Sequence, residues 1–520
     1  MLKVSTYMKQ PQRIVIVGGG TAGWMTAAAL SQTLGPAVES ITLIESSEIG
    51  TVGVGEATIP HLRYFNEKLG INEHEFIKRT NATYKLGIEF SNWGANGDSY
   101  IHPFGDFGTK KNGIPFHHYW LKAQQSGQVP PIFDFSLPAV AAKLNRFDYP
   151  QNNKRSLLSS YAYAFHIDAS LYASYLKELF SGNIRHIEAK IVQVNKDYNT
   201  GDISNLHLEN GVIVEGDFFI DCSGFKALLI EETLGSEFED WSRWLPCDSA
   251  LAAPSAQTSE PPPYTKAIAQ EAGWSWHIPL QHRMGNGYVY CSKYITDEQA
   301  LETLTNSIEG PLLCPPKKLN FKAGRRIEAW KNNCIAIGLS SGFLEPLEST
   351  SIYLIQSSIM KLVELFSHPP FVSASRVEFN RQNAIEYERI KDFLILHYHA
   401  TKREDSEFWR YCKNMDIPTS LKEKMNAFKS SGYIAHYDQG LFLTPSWAAV
   451  YLGQQVIPEE YHPNADLTSD TDLAAALSAL RQQTRLAAES LPLHKEAIKQ
   501  HTSESRSWPS ASMSLYEVFS

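Results

Sequence analysis

Residues 13–30 read Arg13-Ile-Val-Ile-Val-Gly18-Gly-Gly20-Thr-Ala-Gly23-Trp-Met-Thr-Ala-Ala-Ala-Leu30. The apolar, β-branched run before Gly18 is typical of a buried parallel strand, and the run from Met25 to Leu30 is typical of a helix. Gly18, Gly20 and Gly23 stand between them in the spacing G-x-G-x-x-G. Such glycines permit a tight turn, the approach of a pyrophosphate to the backbone and close helix–strand packing. The stretch therefore predicts a dinucleotide-binding turn.

A second short apolar run, at 41–44, ends at Glu45. This acid follows the glycines by about 20 residues, where the fold places the acceptor for a ribose 2′-OH. The N-terminus of the following helix offers free N–H groups to the phosphates. No arginine follows Glu45, so a 2′-phosphate is not favoured. These features together predict a complete nucleotide site rather than an isolated glycine-rich turn.

The bulk composition excludes several classes of protein. The chain has 520 residues, of which 43% are hydrophobic and 20% charged, and its net charge is −9. These values indicate an ordinary globular protein and argue against nucleic acid as a partner. None of the six cysteines forms a C-x-x-C pair, so neither a metal site nor a disulfide framework is expected. Scattered cysteines of this kind are typical of a reducing compartment, so a cytoplasmic location is expected. The sequence has neither a signal core nor a transmembrane run of about 18 apolar residues.

Three later stretches return to the same pattern of strand and glycine turn. Residues 50–60 form a second glycine-rich loop that includes Gly55 and Ala57, and residues 218–221 lead into Gly224. The strand at 334–337 leads into Gly338 and then into a hydroxyl-rich helix start, which suits an anion or a flavin edge. Repeated returns to one ligand predict a discontinuous dinucleotide domain with an inserted β-sheet module.

Other patterns allow more than one interpretation. Residues 72–90 are helix-like, and Lys85 and Glu89 would then form an ordinary surface ion pair. His102 and Phe104 can stack on a flat ring or fill the core. Alternation places Trp274 and Trp276 on one face of a strand. Near the C-terminus, Asp472 is placed to cap the helix at 473–490.

Taken together, four motifs resemble the flavin-dependent halogenase family, whose best-known members are the tryptophan halogenases. The motifs are Gly18-x-Gly20-x-x-Gly23-Trp24, Gly55-Glu56-Ala57-Thr58-Ile59-Pro60, Gly273-Trp274-x-Trp276-x-Ile278-Pro279 and Leu344-Glu345-Pro346-Leu347-Glu348-Ser349-Thr350. The resemblance runs from about residue 13 to about residue 400.

The resemblance implies an α/β fold with a Rossmann-like FAD-binding domain of the flavin monooxygenase type. This domain is expected at 1–370, with an inserted substrate-side sheet module at roughly 95–165 and 225–330 and a mainly helical region at 371–520. FAD is expected in its reduced form, FADH2, from a separate flavin reductase. With O2 and a halide ion it yields hypohalous acid, which crosses to a small aromatic substrate. The cofactor-binding residues are Gly18, Gly20, Thr21, Ala22, Gly23, Glu45, Gly55, Ala57, Gly338 and Leu347.

The family's two catalytic residues match Lys85 and Glu348. The lysine hydrogen-bonds hypohalous acid or forms a haloamine with it, and Lys78 is the second choice for this role. The carboxylate stabilises the cationic ring intermediate and accepts its proton. The residues alone would favour a simpler interpretation of Glu348 as an acid at a helix N-terminus.

The resemblance assigns supporting roles to eight further residues. Thr350 and Ser351 match the halide-binding pair, in which the family has Thr-Gly. Ser349 neighbours the catalytic carboxylate. The remaining residues are expected near the substrate or the flavin: His102, Phe104, Trp274, Trp276 and Trp447.

The C-terminal region departs from the tryptophan halogenases. Residues 433–447 are short and lack the paired Tyr and the Phe-Trp that bind the backbone of tryptophan in the family. An indole or a larger arene is therefore expected in place of free tryptophan. Two other functions stay open, an FAD-dependent aromatic monooxygenase and a flavoprotein with a degraded site. Retention of Lys85, Glu348 and both Trp residues argues against the second, and a homodimer is left open.

Overall fold

The computed structural model describes residues 13–34, 38–46, 55–127, 129–153, 155–366, 373–435 and 440–503. Several stretches lie outside these ranges. They include the start of the second glycine-rich loop, residues 436–439 of the C-terminal segment (residues 433–447) and the Ser-rich tail after 503.

The strands are β1 (Arg13–Val17), β2 (Ser40–Glu45), β3 (Gly55–Ala57), β4 (Thr83–Lys85), β5 (Gly87–Ser91), β6 (Ser99–Pro103), β7 (Ala164–Asp168), β8 (Arg185–Glu188), β9 (Ile191–Lys196), β10 (Ile203–Leu208), β11 (Ile213–Glu215), β12 (Phe218–Asp221), β13 (Phe238–Asp240), β14 (Ser249–Ser255), β15 (Thr265–Gln270), β16 (Gly273–Pro279), β17 (Met284–Tyr290), β18 (Lys317–Asn320), β19 (Gly324–Arg326), β20 (Trp330–Lys331), β21 (Cys334–Ala336) and β22 (Gly342–Phe343).

The helices are α1 (Thr21–Leu34), α2 (His61–Lys68), α3 (Glu73–Thr80), α4 (Phe116–Ser126), α5 (Leu137–Lys143), α6 (Ala169–Phe180), α7 (Asp297–Ser307), α8 (Ser351–Phe366), α9 (Ser373–His399), α10 (Glu407–Asn414), α11 (Thr419–Ser431), α12 (Thr444–Gly453), α13 (Asp470–Ser490) and α14 (His494–Ser503).

A six-stranded sheet carries the nucleotide-binding pattern. Its order is β20-β21-β12-β1-β2-β8, and β1 pairs in parallel with both β12 and β2. The inner strand is almost fully buried because its side chains are apolar on both faces. Helix α1 follows the glycine turn at once. The predicted Rossmann-like α/β fold and its order of strand, glycines, helix and strand are confirmed.

A seven-stranded sheet forms the second layer, in the order β18-β14-β17-β16-β15-β5-β6. Trp274 and Trp276 lie on β16, as predicted, and β16 pairs antiparallel with β17, with Trp274 opposite Val289 and Trp276 opposite Gly287. The edge strand β6 carries His102. This sheet therefore brings both tryptophans and His102 into one layer.

A small sheet, in the order β3-β7-β4, shows that the predicted helix over 72–90 is wrong. Helix α3 ends at Thr80, where Asn81 adopts φ 50° and closes the helix. The chain then pairs with β7, which places Lys85 opposite Ala164. Tertiary pairing thus overrides the local helical pattern, and Lys85 and Glu89 stand on different strands.

The described residues between 373 and 503 are mainly helical, as predicted. Its longest element, α9, carries a continuous buried run from Ile390 to Tyr398. Helix α13 is capped by Ser469, whose side chain accepts a hydrogen bond from the backbone N–H of Asp472. The prediction of Asp472 as the cap is therefore wrong, because the helix begins one turn earlier. Among the described residues, none of the helices combines the length and apolar character that crossing a membrane requires.

Candidate active site

A large cavity of about 440 Å³ opens at the carboxyl ends of β1, β2 and β12. Most residues predicted to bind the cofactor or to border the flavin line this cavity. They are Gly18, Gly20, Thr21, Ala22, Glu45, Gly55, Ala57, Trp274, Trp276, Gly338, Leu347, Ser349 and Ser351. The strands therefore gather distant parts of the sequence around one space.

The glycine turn fits a dinucleotide because no side chain can occupy its place. Gly18 has φ 111°, and a Cβ there would lie 2.2 Å from the carbonyl oxygen of Cys222. A Cβ on Gly23 would lie 1.8 Å from the oxygen of Gly18. Gly23 is absent from the cavity lining, so it serves the close approach of α1 to the turn, whereas Gly18 leaves bare backbone at the cavity.

Glu45 borders the same cavity and keeps its charge. Its Oε1 accepts hydrogen bonds of 2.7 Å from Lys177 Nζ and from His186 Nε2. Burial alone would raise the pKa of Glu45, but these two partners outweigh it and lower that pKa. The carboxylate can therefore accept a hydrogen bond from a ribose hydroxyl. The sequence pattern identified Glu45 but not Lys177 or His186, which lie far along the chain.

Lys85 lies at the end of β4 and is fully buried. Its Nζ donates to the carbonyl oxygen of Thr58 at 3.0 Å and to Ser349 Oγ at 2.7 Å. It also lies 5.1 Å from the centre of the Phe104 ring. Burial lowers the pKa of Lys85 to about 7, against a smaller opposite effect of Glu348. Lys78, by contrast, is exposed on α3.

Glu348 ends a short helical turn that begins at Pro346, and it is 1% exposed. Nδ1 of His102 donates to its two carboxylate oxygens at 3.0 and 2.9 Å. Nε2 of His397 lies 2.8 Å from Oε1. Burial alone would raise the pKa of Glu348, but the two histidines outweigh it and lower that pKa to about 2. The group is therefore a buried carboxylate that is ionised near neutral pH.

No sequence pattern indicates a role for His397, because only the fold brings it to Glu348. It stands in the last turn of α9, and its Nδ1 lies 3.1 Å from the hydroxyl of Tyr100. Gln454 donates to that hydroxyl and to the carbonyl oxygen of His397. Tyr100 can then donate to Nδ1, which leaves the ring proton on Nε2, facing Glu348. No local motif around residue 397 predicts this arrangement.

Ser349 joins the cavity to the buried pair. It lines the cavity, accepts the hydrogen bond of Lys85 and directly follows Glu348. Its φ is 60°, an uncommon conformation for a residue other than glycine. Thr350 is fully buried, and its Oγ1 has no hydrogen-bond partner among the described residues. Ser351 begins α8 at the cavity wall.

The predicted substrate residues divide into two groups. Phe104 and His102 stand beside Lys85 and Glu348, where His102 acts as a polar partner of the carboxylate. Trp447 lies further away, with its ring centre 5.1 Å from that of Phe393. Phe393 in turn lies 5.7 Å from the His102 ring. The structure thus connects Trp447 to the cluster through an intervening aromatic side chain.

The structure thus places a nucleotide-type cavity beside a buried lysine and carboxylate, with Ser349 between them. Within the described ranges, no group of three or more His, Cys, Asp or Glu side chains is arranged to hold a metal ion.

Comparison with known proteins identifies the family. The family model described as tryptophan halogenase matches residues 13–470. Tryptophan 6-halogenase SttH of Streptomyces toxytricini is 35% identical, over 94% of this chain and 98% of that relative. The structure of Xcc4156, a flavin-dependent halogenase from Xanthomonas campestris, superposes with a TM-score of 0.92 at 45% identity, over 96% of this chain and 100% of that one. BrvH, a flavin-dependent halogenase from Brevundimonas sp. BAL3, gives 0.91 at 43%, over 94% and 99%.

The chain belongs to the tryptophan halogenase family. The resemblance seen in the sequence is confirmed, and the protein is an enzyme of the flavin-dependent halogenase class. Enzymes of this class halogenate small aromatic molecules and need a separate flavin reductase.

Proposed function

We propose that this enzyme uses FADH2, O2 and chloride or bromide to halogenate an indole, with Lys85 and Glu348 as its catalytic residues. The observation that carries the proposal is the position of Ser349. It borders the cavity and accepts the hydrogen bond of Lys85, so an oxidant made in the cavity meets the lysine at this residue.

Bound FAD supplies hypohalous acid from O2 and halide. FAD would be held by the bare backbone at Gly18 and Gly20, the N-terminus of α1 and the carboxylate of Glu45. Trp274 and Trp276 also line this space. Lys85 and Glu348 are not among its lining residues, so the small oxidant has to leave the cavity to reach them.

Lys85 activates the oxidant. Two of its N–H groups are held by Thr58 and Ser349, and the ammonium form has a third that is available to the oxygen of hypohalous acid. This hydrogen bond makes the halogen more electrophilic. The ring attacks the halogen, the halogen–oxygen bond breaks, and the departing hydroxide takes the lysine proton to form water. A pKa of about 7 suits this transfer near neutral pH.

Glu348 completes the substitution. Ring attack leaves a cationic intermediate with one hydrogen too many on the substituted carbon. A carboxylate held ionised by His102 and His397 stabilises that cation and accepts its proton. Lys85 and Glu348 then each return to their starting state by exchanging protons with solvent.

Halide is expected at Thr350 and Ser351. Thr350 presents a hydroxyl without a partner in the described part of the chain, and Ser351 offers the backbone N–H of a helix start. The serine in place of the family's glycine restricts φ and narrows the space beside the pair.

The substrate proposal rests on the C-terminal segment. A free amino acid carries two charges, and burying either without a partner is costly. Residues 440–447 contribute Phe442, stacked on Phe393 at 3.9 Å, and Trp447. These rings favour a flat, uncharged arene. Loose orientation of indole would direct halogen to its most electron-rich carbon, C3.

Mass spectrometry of an arene panel, incubated with enzyme, FAD, a flavin reductase, NADH and either halide, tests the reaction class. We expect products that gain halogen in place of hydrogen. Lys85→Ala should abolish them while flavin oxidation continues, and Lys78→Ala, an exposed control, should not. Products that gain oxygen instead would support the monooxygenase alternative, and full activity of Lys85→Ala would refute the assignment.

Competition between equimolar indole and tryptophan tests the substrate proposal. We expect indole to be consumed first, with halogen at C3. Preferential consumption of tryptophan with a single benzo-ring product would refute the proposal and would assign charge-pairing groups to the C-terminal segment.

A further inference from the structure

Glu345 is a buried acid that the proposed reaction does not use. It is fully buried, three residues before Glu348, and its Oε1 has no hydrogen-bond partner among the described residues. No Lys, Arg or His of the described chain lies within ion-pair distance of it. Burial raises its pKa to about 7. Burial of an acid without a positively charged partner is unfavourable, which indicates that Glu345 has a role beyond packing.

The two partners of Glu345 are both side chains that can be oxidised. Its Oε2 accepts a hydrogen bond of 2.9 Å from Trp274 Nε1 and one of 2.5 Å from the hydroxyl of Tyr398. Because both donors reach the same oxygen atom, only one carboxylate oxygen separates the indole from the phenol. Oxidation of either ring makes its N–H or O–H strongly acidic, and Glu345 is the base in contact with both.

These groups form a continuous line from the cavity. Trp276 and Trp274 line it, and their ring centres are 6.1 Å apart. Tyr398 is fully buried on α9 and is linked to Trp274 through the shared oxygen of Glu345. Electron tunnelling decays steeply with the distance between rings, and contacts of this length allow transfer in successive short steps.

We propose that Trp276, Trp274, Glu345 and Tyr398 form a one-electron path that withdraws oxidising equivalents from the cofactor cavity to Tyr398. This inference rests on the proposed flavin site. The oxidant is of the class of oxygen-centred radicals that form when reduced flavin meets O2 without productive halogenation. The path would protect Lys85 and the cavity from self-oxidation.

The steps balance. The oxidant takes one electron from Trp276 and is reduced. One electron then passes from Trp274 to Trp276, and one from Tyr398 to Trp274. The phenol proton moves along its hydrogen bond to Glu345 as Tyr398 loses its electron. The net result is a reduced oxidant, a neutral radical on Tyr398 and a protonated Glu345, with both tryptophans restored.

Blue light on the FAD-loaded enzyme tests the path without turnover, because photoexcited oxidised flavin is itself a one-electron oxidant. FAD occupancy is measured first by absorbance. Electron paramagnetic resonance of illuminated, frozen samples should then show a tyrosyl radical, identified by its spectral change when tyrosine is ring-deuterated. Tyr398→Phe should lose this signal. Tyr172→Phe, which removes another buried, hydrogen-bonded hydroxyl, should keep it.

Two further variants separate a redox role from a structural one. Glu345→Gln keeps an oxygen acceptor but removes the base, so the tyrosyl signal should be lost while the protein keeps its melting temperature. Trp274→Phe should lose it as well. An unchanged signal in Tyr398→Phe or in Glu345→Gln would overturn the proposal. Bound flavin without any tyrosyl radical in the wild type would overturn this inference alone, whereas failure to bind FAD would overturn the proposed cofactor site with it.

Discussion

Replacing Lys85 with methionine should stabilise the folded protein at neutral pH while abolishing halogenation. The side chains are similar in length, but methionine has no charge to bury. The pKa of Lys85 is about 7 in the fold, against the ordinary lysine value of 10.5. Each pKa unit corresponds to about 1.4 kcal/mol, so this difference lowers the free energy of unfolding by about 5 kcal/mol at pH 7 and below.

The hydrogen bonds of Lys85 offset part of this gain. Methionine leaves the Thr58 carbonyl and the Ser349 hydroxyl without their donor, at about 1–2 kcal/mol each. The net effect is a stabilisation of about 1–3 kcal/mol at pH 7.

The sign of the pH dependence follows from proton binding. Between pH 7 and 10.5 the unfolded state holds the lysine proton and the folded state does not. The wild type therefore gains stability as pH rises through this window, by about 1.4 kcal/mol per pH unit, and Lys85→Met does not. The advantage of the variant should shrink and then reverse.

Urea unfolding at several pH values from 7 to 10 measures this difference from the midpoints and slopes. Lys78→Met is the matched control, because Lys78 is exposed, and it should change stability by less than about 0.5 kcal/mol at every pH. A difference between Lys85→Met and wild type that does not vary with pH would refute the reasoning. It would mean that Lys85 stays charged in the fold, paired with Glu348.

Three further predictions concern the carboxylates. Glu348→Gln should slow halogenation by about 10²–10⁴-fold at unchanged flavin oxidation, since it removes the proton acceptor; a normal rate would exclude the role. His397→Asn removes one of the two groups that lower the pKa of Glu348, so the acid limb of the pH–rate profile should move to higher pH, and an unmoved limb would contradict the electrostatic account. Glu45→Ala should weaken FAD binding by about 10-fold or more, measured by fluorescence titration, because a charged hydrogen-bond acceptor is lost; the exposed Glu39→Ala is the control, and equal affinities would remove Glu45 from the site.

The sequence predicts the nucleotide half of the molecule well, because its signals are local. The glycine turn, α1 and β16 are each specified by residues within one short window, and the structure has them as expected. Glu45 follows from the same pattern because a strand of fixed length separates it from the preceding helix.

The reacting half depends on contacts that no short window contains. Lys85 looks helical in sequence, and only pairing with β7 turns its segment into a strand. His397 reaches Glu348 through the docking of α9, far along the chain from either proposed catalytic residue. The sequence also gives no sign that Glu345 is the buried partner of Trp274, since a Glu before a proline is ordinarily a surface residue.

The small sheet β3-β7-β4 has a consequence for how such enzymes diversify. Its central strand β7 holds Gly55 and Ala57 on one side and Lys85 on the other. In the proposed mechanism, backbone hydrogen bonds therefore fix the distance between the cavity that supplies the oxidant and the lysine that receives it. The aromatic side chains of the C-terminal segment belong to separate elements, so they can be exchanged without altering that distance. Substitutions in this segment can therefore admit new arenes, while the distance from the cavity to Lys85 stays the same.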